Sequence, residues 1–222
     1  GSVMECSVRY AGDSIMVTAQ LIDPQTNSHL WSEAYPGDLS DLSTVFAMQA
    51  DIAMNIANAL EAEFSLSEQA SIERVPTQSP TAYAFYLRAL STVGEGTEDY
   101  YIAINQAIAA DENFALAYAS RAATRTFELV GVGVGLAPGD ALELERGIQS
   151  DAERALEIDP TLGLAHAAQA VVHQANWRGP AAEEAFQRAL QMSPNDVYVL
   201  LLYGRFKRYR GEHEEAVRLI RR

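Results

Sequence analysis

His166 and His173 stand seven residues apart, with Trp177 one turn further on. On a helix that spacing places both imidazoles on one face, where they could hold a metal ion or a ligand. A zinc site needs three or four ligands. No third one is within helical reach, so the pair reads as packing between helices. Gly131-Val-Gly-Val-Gly135 is rich in glycine, but no Gly-Lys-Ser/Thr follows and no strand pattern precedes it. It is therefore not read as a phosphate cradle. No G-x-S-x-G elbow, P-loop or H-E-x-x-H occurs, and the Asp-rich stretches lack calcium-loop spacing. Cys6 is the one cysteine. It falls in a strand pattern and reads as a small buried hydrophobe, not a nucleophile. It excludes an internal disulfide and leaves the compartment open. Trp31 and Tyr35 share one strand face and read as core between a sheet and a helix. The acid-rich stretch Glu143–Glu157 reads as a solvated helix face. The expectation is a non-catalytic chain with no cofactor and no metal.

The elements that would position these residues show in a spacing. Pro160 closes Ala-Leu-Glu-Ile-Asp-Pro and Pro194 closes Ala-Leu-Gln-Met-Ser-Pro, 34 residues apart. That is the period of the tetratricopeptide repeat, a helix–turn–helix hairpin that stacks on its neighbours. Counting back from Pro194, Ala189, Phe186 and Ala182 fall on the small and aromatic places of the second helix. Ala170 falls on the glycine place of the first. This unit runs over Gly163–Asp196, with His166 and His173 at the tryptophan and tyrosine places. One period on, Gly204 and Ala216 take the glycine and alanine places and Gly211 lies in the turn. That unit opens at Val197 and runs out at Arg222. Before them, Pro160 closes a unit with Ala155 in place. Ala107–Glu112 has the same ending with Glu for Pro, 48 residues earlier than Pro160, so this repeat carries about 14 extra residues. The earliest unit is Thr81–Phe114. The register predicts helices near 81–93, 97–110, 115–128, 140–157, 163–176, 180–192, 197–210 and 213–222. The insertion Glu128–Asp140 reads as an apolar, glycine-rich loop that folds back over the solenoid or covers a partner site.

Residues 3–35 have a period of two. Ile15, Val17, Ala19 and Leu21 alternate with Met16, Thr18, Gln20 and Ile22. Turn chemistry lies on either side, at Ala11–Ser14 and Asp23–Asn27. Three antiparallel strands are expected, at about 3–10, 15–23 and 28–35. A helix follows over 41–64, then a short one over 66–74 opened by the capping box Ser65-x-x-Glu68. Val75-Pro-Thr-Gln-Ser-Pro80 reads as a linker. The expected fold is mainly α: a tetratricopeptide-repeat helical solenoid over 81–222, three repeats plus a truncated fourth. A partial α/β unit of three antiparallel strands plus a helix precedes it over 3–64, with 65–80 between. Three strands and one helix are near the lower limit of an autonomous domain. The expectation is thus a piece of a larger α/β domain, and Gly1-Ser2 reads as a cloning remnant.

Val3-Met-Glu-Cys-Ser-Val-Arg-Tyr10, Val17-Thr-Ala-Gln-Leu-Ile-Asp23, His29-Leu-Trp-Ser-Glu-Ala-Tyr35 and Asp38-Leu39 are similar to the second half of the TolB-like amino-terminal domain. That domain is an α/β module of bacterial signalling proteins, commonly followed by tetratricopeptide repeats. The repeats with the Leu136-Ala-Pro-Gly139 insertion resemble that family too. The resemblance implies a sensor or scaffold region. Its relatives sit behind a class III adenylate cyclase or the winged-helix DNA-binding domain of CadC-like regulators, often with a membrane helix between. It leaves either side of a membrane open. An oligomerisation module, pairing through the exposed edge of the incomplete sheet, is the third reading.

The chain has 222 residues, 48% of them apolar, and a net charge of −14. That composition marks a globular chain and disfavours nucleic acid. No apolar stretch is long enough to span a membrane. Charge is uneven: residues 201–222 hold seven of the 16 basic residues and only three acidic ones, Glu212, Glu214 and Glu215. The family's groove-lining positions on the first helix of each hairpin map onto Phe85 and Phe127 among small residues such as Ala82, Ala119 and Ala167. In the last unit they map onto Tyr198, Leu201, Arg205, Arg208 and Tyr209. The alanines read as packing. Phe85, Phe127, Tyr198, Arg205, Arg208 and Tyr209 are the candidate contacts for a protein or acidic peptide. Internal neutralisation by Glu212, Glu214 and Glu215 is the competing account. The carboxylate clamp of chaperone-adaptor repeats needs Lys and Asn where this chain has Phe85 and Ala89, so chaperone tails are not expected partners. A homodimer is.

Overall fold

The computed structural model describes residues 2–60, 69–70, 72–92, 97–131 and 137–221. Contacts divide the chain into two compact units, 1–80 and 81–222.

The first unit holds a three-stranded antiparallel sheet in the order β1 (Val3–Ala11), β2 (Ser14–Asp23), β3 (Ser28–Asp38). Gly12 has φ +63°, the first-position geometry a two-residue hairpin turn needs. At the second turn Asn27 has φ +55° and donates its N–H to the Asp23 carbonyl at 2.8 Å. Asn tolerates this left-handed region because its side chain bonds locally. Helix α1 (Leu42–Ala59) is capped by Asp41, whose carboxylate accepts the Ser43 N–H at 2.9 Å. It lays Val45, Met48 and Ile52 on Ile15, Val17, Ala19, Trp31 and Tyr35. The expected helix to residue 64 ends its described part in a turn at Leu60. Residues 61–64, and 66–68 and 71 of the expected 66–74 helix, lie outside the described residues; Gln69, Ala70 and Ile72 are helical, and the Glu73 N–H donates to the Gln69 carbonyl at 3.0 Å.

One expectation fails here. Cys6 is exposed, not buried. Helix α1 covers β2 and β3, and every residue of β1 is exposed.

The second unit holds α2 (Pro80–Ser91), α3 (Thr97–Ala110), α4 (Ala115–Gly131), α5 (Pro138–Ile158), α6 (Gly163–Ala175), α7 (Gly179–Met192), α8 (Val197–Tyr209) and α9 (His213–Ile220). No strand occurs among its described residues. Within hairpins α4 packs on α5, α6 on α7 and α8 on α9. Between hairpins α4 meets α6 and α6 meets α8, while α3, α5 and α7 each touch the helix that follows. First helices thus line one side and second helices the other, which is the tetratricopeptide-like solenoid.

Small residues set the close crossings. A Cβ on Gly204 would stand 2.8 Å from Ile220 Cγ1, so α8 and α9 approach at bare backbone. Phe186, with no exposed surface, stacks on Tyr203 at 5.1 Å and meets Phe206 at 5.2 Å, knitting α7 to α8. Phe114 does the same beside Tyr86, at 5.1 Å. His166 is buried at the tryptophan place and its Nε2–H donates to the Pro160 carbonyl at 3.0 Å. Burial holds its pKa below the ordinary 6.5, and that hydrogen bond only partly offsets the effect. It is a packing residue.

Residues 132–136 of the expected insertion loop lie outside the described residues, while the stretches on either side of them, to Gly131 and from Pro138, are helical. Helix α4 has 17 residues where α6 has 13, and α5 has 21 where α7 has 14. Most of the extra length therefore extends two helices of one hairpin. The glycines mask this in sequence, because each lowers helix propensity by about 1 kcal/mol, while Phe127, Leu129 and Val130 pack on the α6–α7–α8 core.

The acid-rich stretch on α5 also differs from expectation. Asp151 is buried, not solvated. It accepts Arg121 Nε at 2.9 Å and Nη2 at 2.5 Å, and pairs with Arg125 as well. Arg121 reaches on to Asn105 of α3 at 2.6 Å. One carboxylate thus ties α5 to two arginines of α4.

Candidate functional site

The first helices α2, α4, α6 and α8 line one side of the solenoid, and α8 supplies most of the candidate contacts. Its start is fixed by Asp196, whose carboxylate accepts the N–H groups of Tyr198 at 2.8 Å and Val199 at 3.0 Å. Its inner face, Val199, Leu202, Tyr203 and Phe206, is buried. That leaves Tyr198, Leu201, Arg208 and Tyr209 exposed on the other side.

The structure brings several candidates together. The Phe127 ring of α4 meets the Tyr198 ring of α8 edge-on, with centroids 5.8 Å apart. Arg205 sends Nη2–H to the Val130 carbonyl at the end of α4, at 2.8 Å. The extended α4 therefore reaches across α6 to α8 in the groove. The Arg205 guanidinium beside Tyr209 holds the tyrosine's pKa below its usual value, with Arg208 adding to the effect. The Arg208 guanidinium lies 5.4 Å from the centre of the Tyr209 ring. Phe85 is not part of this group. It is half-buried on α2 against the α2–α3 cluster, and Ala82 and Ala89 beside it are buried.

The competing acids go elsewhere. Glu212 accepts Lys207 Nζ at 2.8 Å and Arg210 Nε at 2.9 Å, and Glu215 pairs with Arg218 at 2.9 Å. Glu183 of α7 takes Lys207 at 2.7 Å and the Tyr203 hydroxyl at 2.5 Å. Burial pushes the Glu183 carboxyl up, but the bonds from Lys207 and Tyr203 outweigh it and leave its pKa below the usual value. Burial likewise opposes the charge on Lys207, and Glu183 and Glu212 more than restore it. Among the described residues neither Arg205 nor Arg208 has a carboxylate at ion-pair distance. Helix α8 and its C-cap residue Arg210 thus carry two kinds of cation: Lys207 and Arg210, neutralised within the fold, and Arg205 and Arg208, which have no carboxylate at ion-pair distance among the described residues. Sequence reasoning missed the Glu183–Lys207 tie because those residues lie on different hairpins and share no local spacing.

No family model matches this chain. It is 35% identical over 91 residues, 41% of its length, to the Rhizobium meliloti protein named "Putative adenylate cyclase 3", of which the match spans 15%. It is 39% identical over 77 residues, 33% of its length, to the type IV pilus assembly protein PilF of Pseudomonas aeruginosa, spanning 31% of that protein. The chain therefore matches well under half the length of either relative. Among solved structures it is similar to the Arabidopsis OM64 TPR domain, with a TM-score of 0.43 and 18% identity, over 58% of this chain and 96% of that one. It is similar to the first TPR of Spaghetti (RPAP3), solved with the HSP90 peptide SRMEEVD. There the TM-score is 0.43 and the identity 13%, over 67% of this chain and all of the other. No described helix is long and apolar enough to cross a membrane.

Proposed function

We propose that this chain is a non-catalytic protein-binding scaffold of a bacterial signalling protein, and that it takes an acidic peptide segment along α8. The observation that carries this reading is the division of charge on that helix. Arg208 stands exposed beside exposed Tyr209 with no carboxylate partner among the described residues, while Lys207 and Arg210 are neutralised. An arginine fork matches a carboxylate in two hydrogen bonds, and a tyrosine adds flat contact area. On a chain of net charge −14, a local positive site attracts an acidic segment without attracting nucleic acid. Tyr198 and Leu201 supply apolar surface next to it. Arg205 is half committed to Val130, so its part is to set the groove wall as well as to offer charge. Phe85 lies on α2, at the other end of the row of first helices.

The test is a peptide array of acidic, neutral and basic segments, probed with the 222-residue chain and with Arg208→Glu. Retention of acidic spots by the wild type and their loss in the variant is the expected result. Equal retention by both proteins, or preference for basic spots, removes the reading.

A second reading has its own support. The similarity to the Rhizobium meliloti protein, together with the TolB-like motifs, favours a regulatory region attached to a class III adenylate cyclase. The catalytic residues would then lie in another part of that protein, with this part gating it. Reading the gene around this sequence for a cyclase or winged-helix segment separates the two.

A further inference from the structure

Among the described residues the sheet of the first unit has two edges without a pairing strand, β1 and β3, and only β3 carries a proline and a register slip. On β3, Pro36 lacks an N–H, and the pairing with β2 slips between Leu21 and Ile22 so that Leu30 is passed over. Prolines and bulges are common ways of blunting an edge. Strand β1 has neither. All nine residues, Val3–Ala11, pair with β2 in unbroken register, and all nine are exposed.

Its faces are also unfinished. Directly opposed residues of an antiparallel pair share a face. Met4, Cys6, Val8 and Tyr10 oppose Leu21, Ala19, Val17 and Ile15. They therefore extend the row whose β2 members lie under α1. Yet Met4 is 52% exposed, Val8 46% and Tyr10 70%. An apolar row continuous with the core thus ends at an open strand edge.

We propose that β1 pairs antiparallel with β1 of a second copy of this chain, about a two-fold axis through Ser7. The sequence of β1 fits itself in that register. Val3 meets Ala11 of the partner strand, Met4 meets Tyr10, Glu5 meets Arg9, Cys6 meets Val8, and Ser7 meets Ser7. All nine residues find an opposite. The four apolar residues of the core-side row face one another, and two Glu5–Arg9 pairs close the other face. Arg9 has no ion-pair partner among the described residues. Glu5 accepts the Gln20 amide at 2.8 Å and has lone pairs left for a guanidinium. Moving the axis to Cys6 or Val8 leaves two residues of the strand unpaired. It also sets Glu5 against Ser7 or Ala11, and Arg9 against Val3 or Ser7. The two-fold keeps both copies of α1 on the same side of a six-stranded sheet.

Sedimentation of the 222-residue chain should show a dimer that dissociates on dilution. Glu5→Arg and Arg9→Glu each replace two attractive cross-strand pairs with two repulsive ones, so each should raise the dimer Kd about tenfold or more. The double reversal Glu5→Arg/Arg9→Glu recreates the pairs in opposite order and should restore the dimer. Both positions are exposed, so circular dichroism should show every variant folded. Ser7→Cys in a Cys6→Ser background should oxidise to a covalent dimer, because opposed residues on the axis lie about 4.5–5.5 Å apart at Cα. A monomer at all concentrations overturns the proposal and leaves this edge to a strand from another segment. A dimer indifferent to both single reversals overturns it equally.

Discussion

Two residues show how local chemistry in this chain departs from its pattern. Trp177 is 95% exposed and has φ +58° in the turn between α6 and α7. One period later Gly211 occupies the same place with φ +79°. The left-handed conformation costs a side-chain-bearing residue about 1–2 kcal/mol. Trp177→Gly should therefore raise stability by about 1 kcal/mol, read as a higher urea midpoint with an unchanged slope. A drop in midpoint would mean that the indole makes a contact the fold needs. Asp151 is the opposite case, a charge whose removal is costly. Without it Arg121 and Arg125 keep their positive charge in a largely buried place, so Asp151→Ala should cost about 3–5 kcal/mol. A loss under 1 kcal/mol would mean that water reaches both guanidiniums. Neither residue was legible in the sequence. The 34-residue register locates position 177 in a turn, but it does not say that a tryptophan would take a glycine's conformation. Asp151 sits in an acid-rich stretch, and only the packing of α5 on α4 turns it inward.

The elements themselves were largely legible, because each follows from a period. Alternation gave the three strands, and the 34-residue repeat placed all eight helices of the second unit within a few residues of where they stand. Sequence failed where local propensity and tertiary packing disagree. Glycines 131, 133 and 135 argue for a loop, yet α4 runs to Gly131 because Leu129 and Val130 find a core to pack on. Cys6 was expected to be buried as a small hydrophobe on a strand, but a strand pattern does not say how wide a sheet the one helix can cover. Helix α6 carries a prediction of its own through His166. Its pKa is depressed in the folded chain relative to the unfolded value of about 6.5. The unfolded chain therefore binds the proton more readily. The contribution is fully present above pH 6.5 or so and is lost as pH falls through the lower folded value. Between about pH 7 and about pH 5 the thermal midpoint should fall, and His166→Gln should flatten that slope. An identical slope in the variant would assign the acid sensitivity to carboxylates instead.

For the whole molecule, the account rests on a helical solenoid in which α8 carries Arg205 and Arg208 with no carboxylate at ion-pair distance among the described residues. The candidate site was only half visible in the sequence. The register put Tyr198, Arg205, Arg208 and Tyr209 on the groove side of α8. It did not show that Glu212 and Glu215 would pair with other cations, that Phe127 would lie against Tyr198, or that Arg205 would reach Val130. Those ties depend on how four hairpins stack, and no local spacing encodes them. The account is tested most directly by the binding of a fluorescent acidic peptide, followed by anisotropy at low and at high salt. The wild-type chain should bind it, more weakly as salt screens the charge. Arg208→Glu should abolish that binding. Arg218→Glu, at a residue already balanced by Glu215, should leave it nearly unchanged. Equal losses in both variants would reduce the effect to net charge, and full binding by Arg208→Glu would contradict the assignment of α8 as the site.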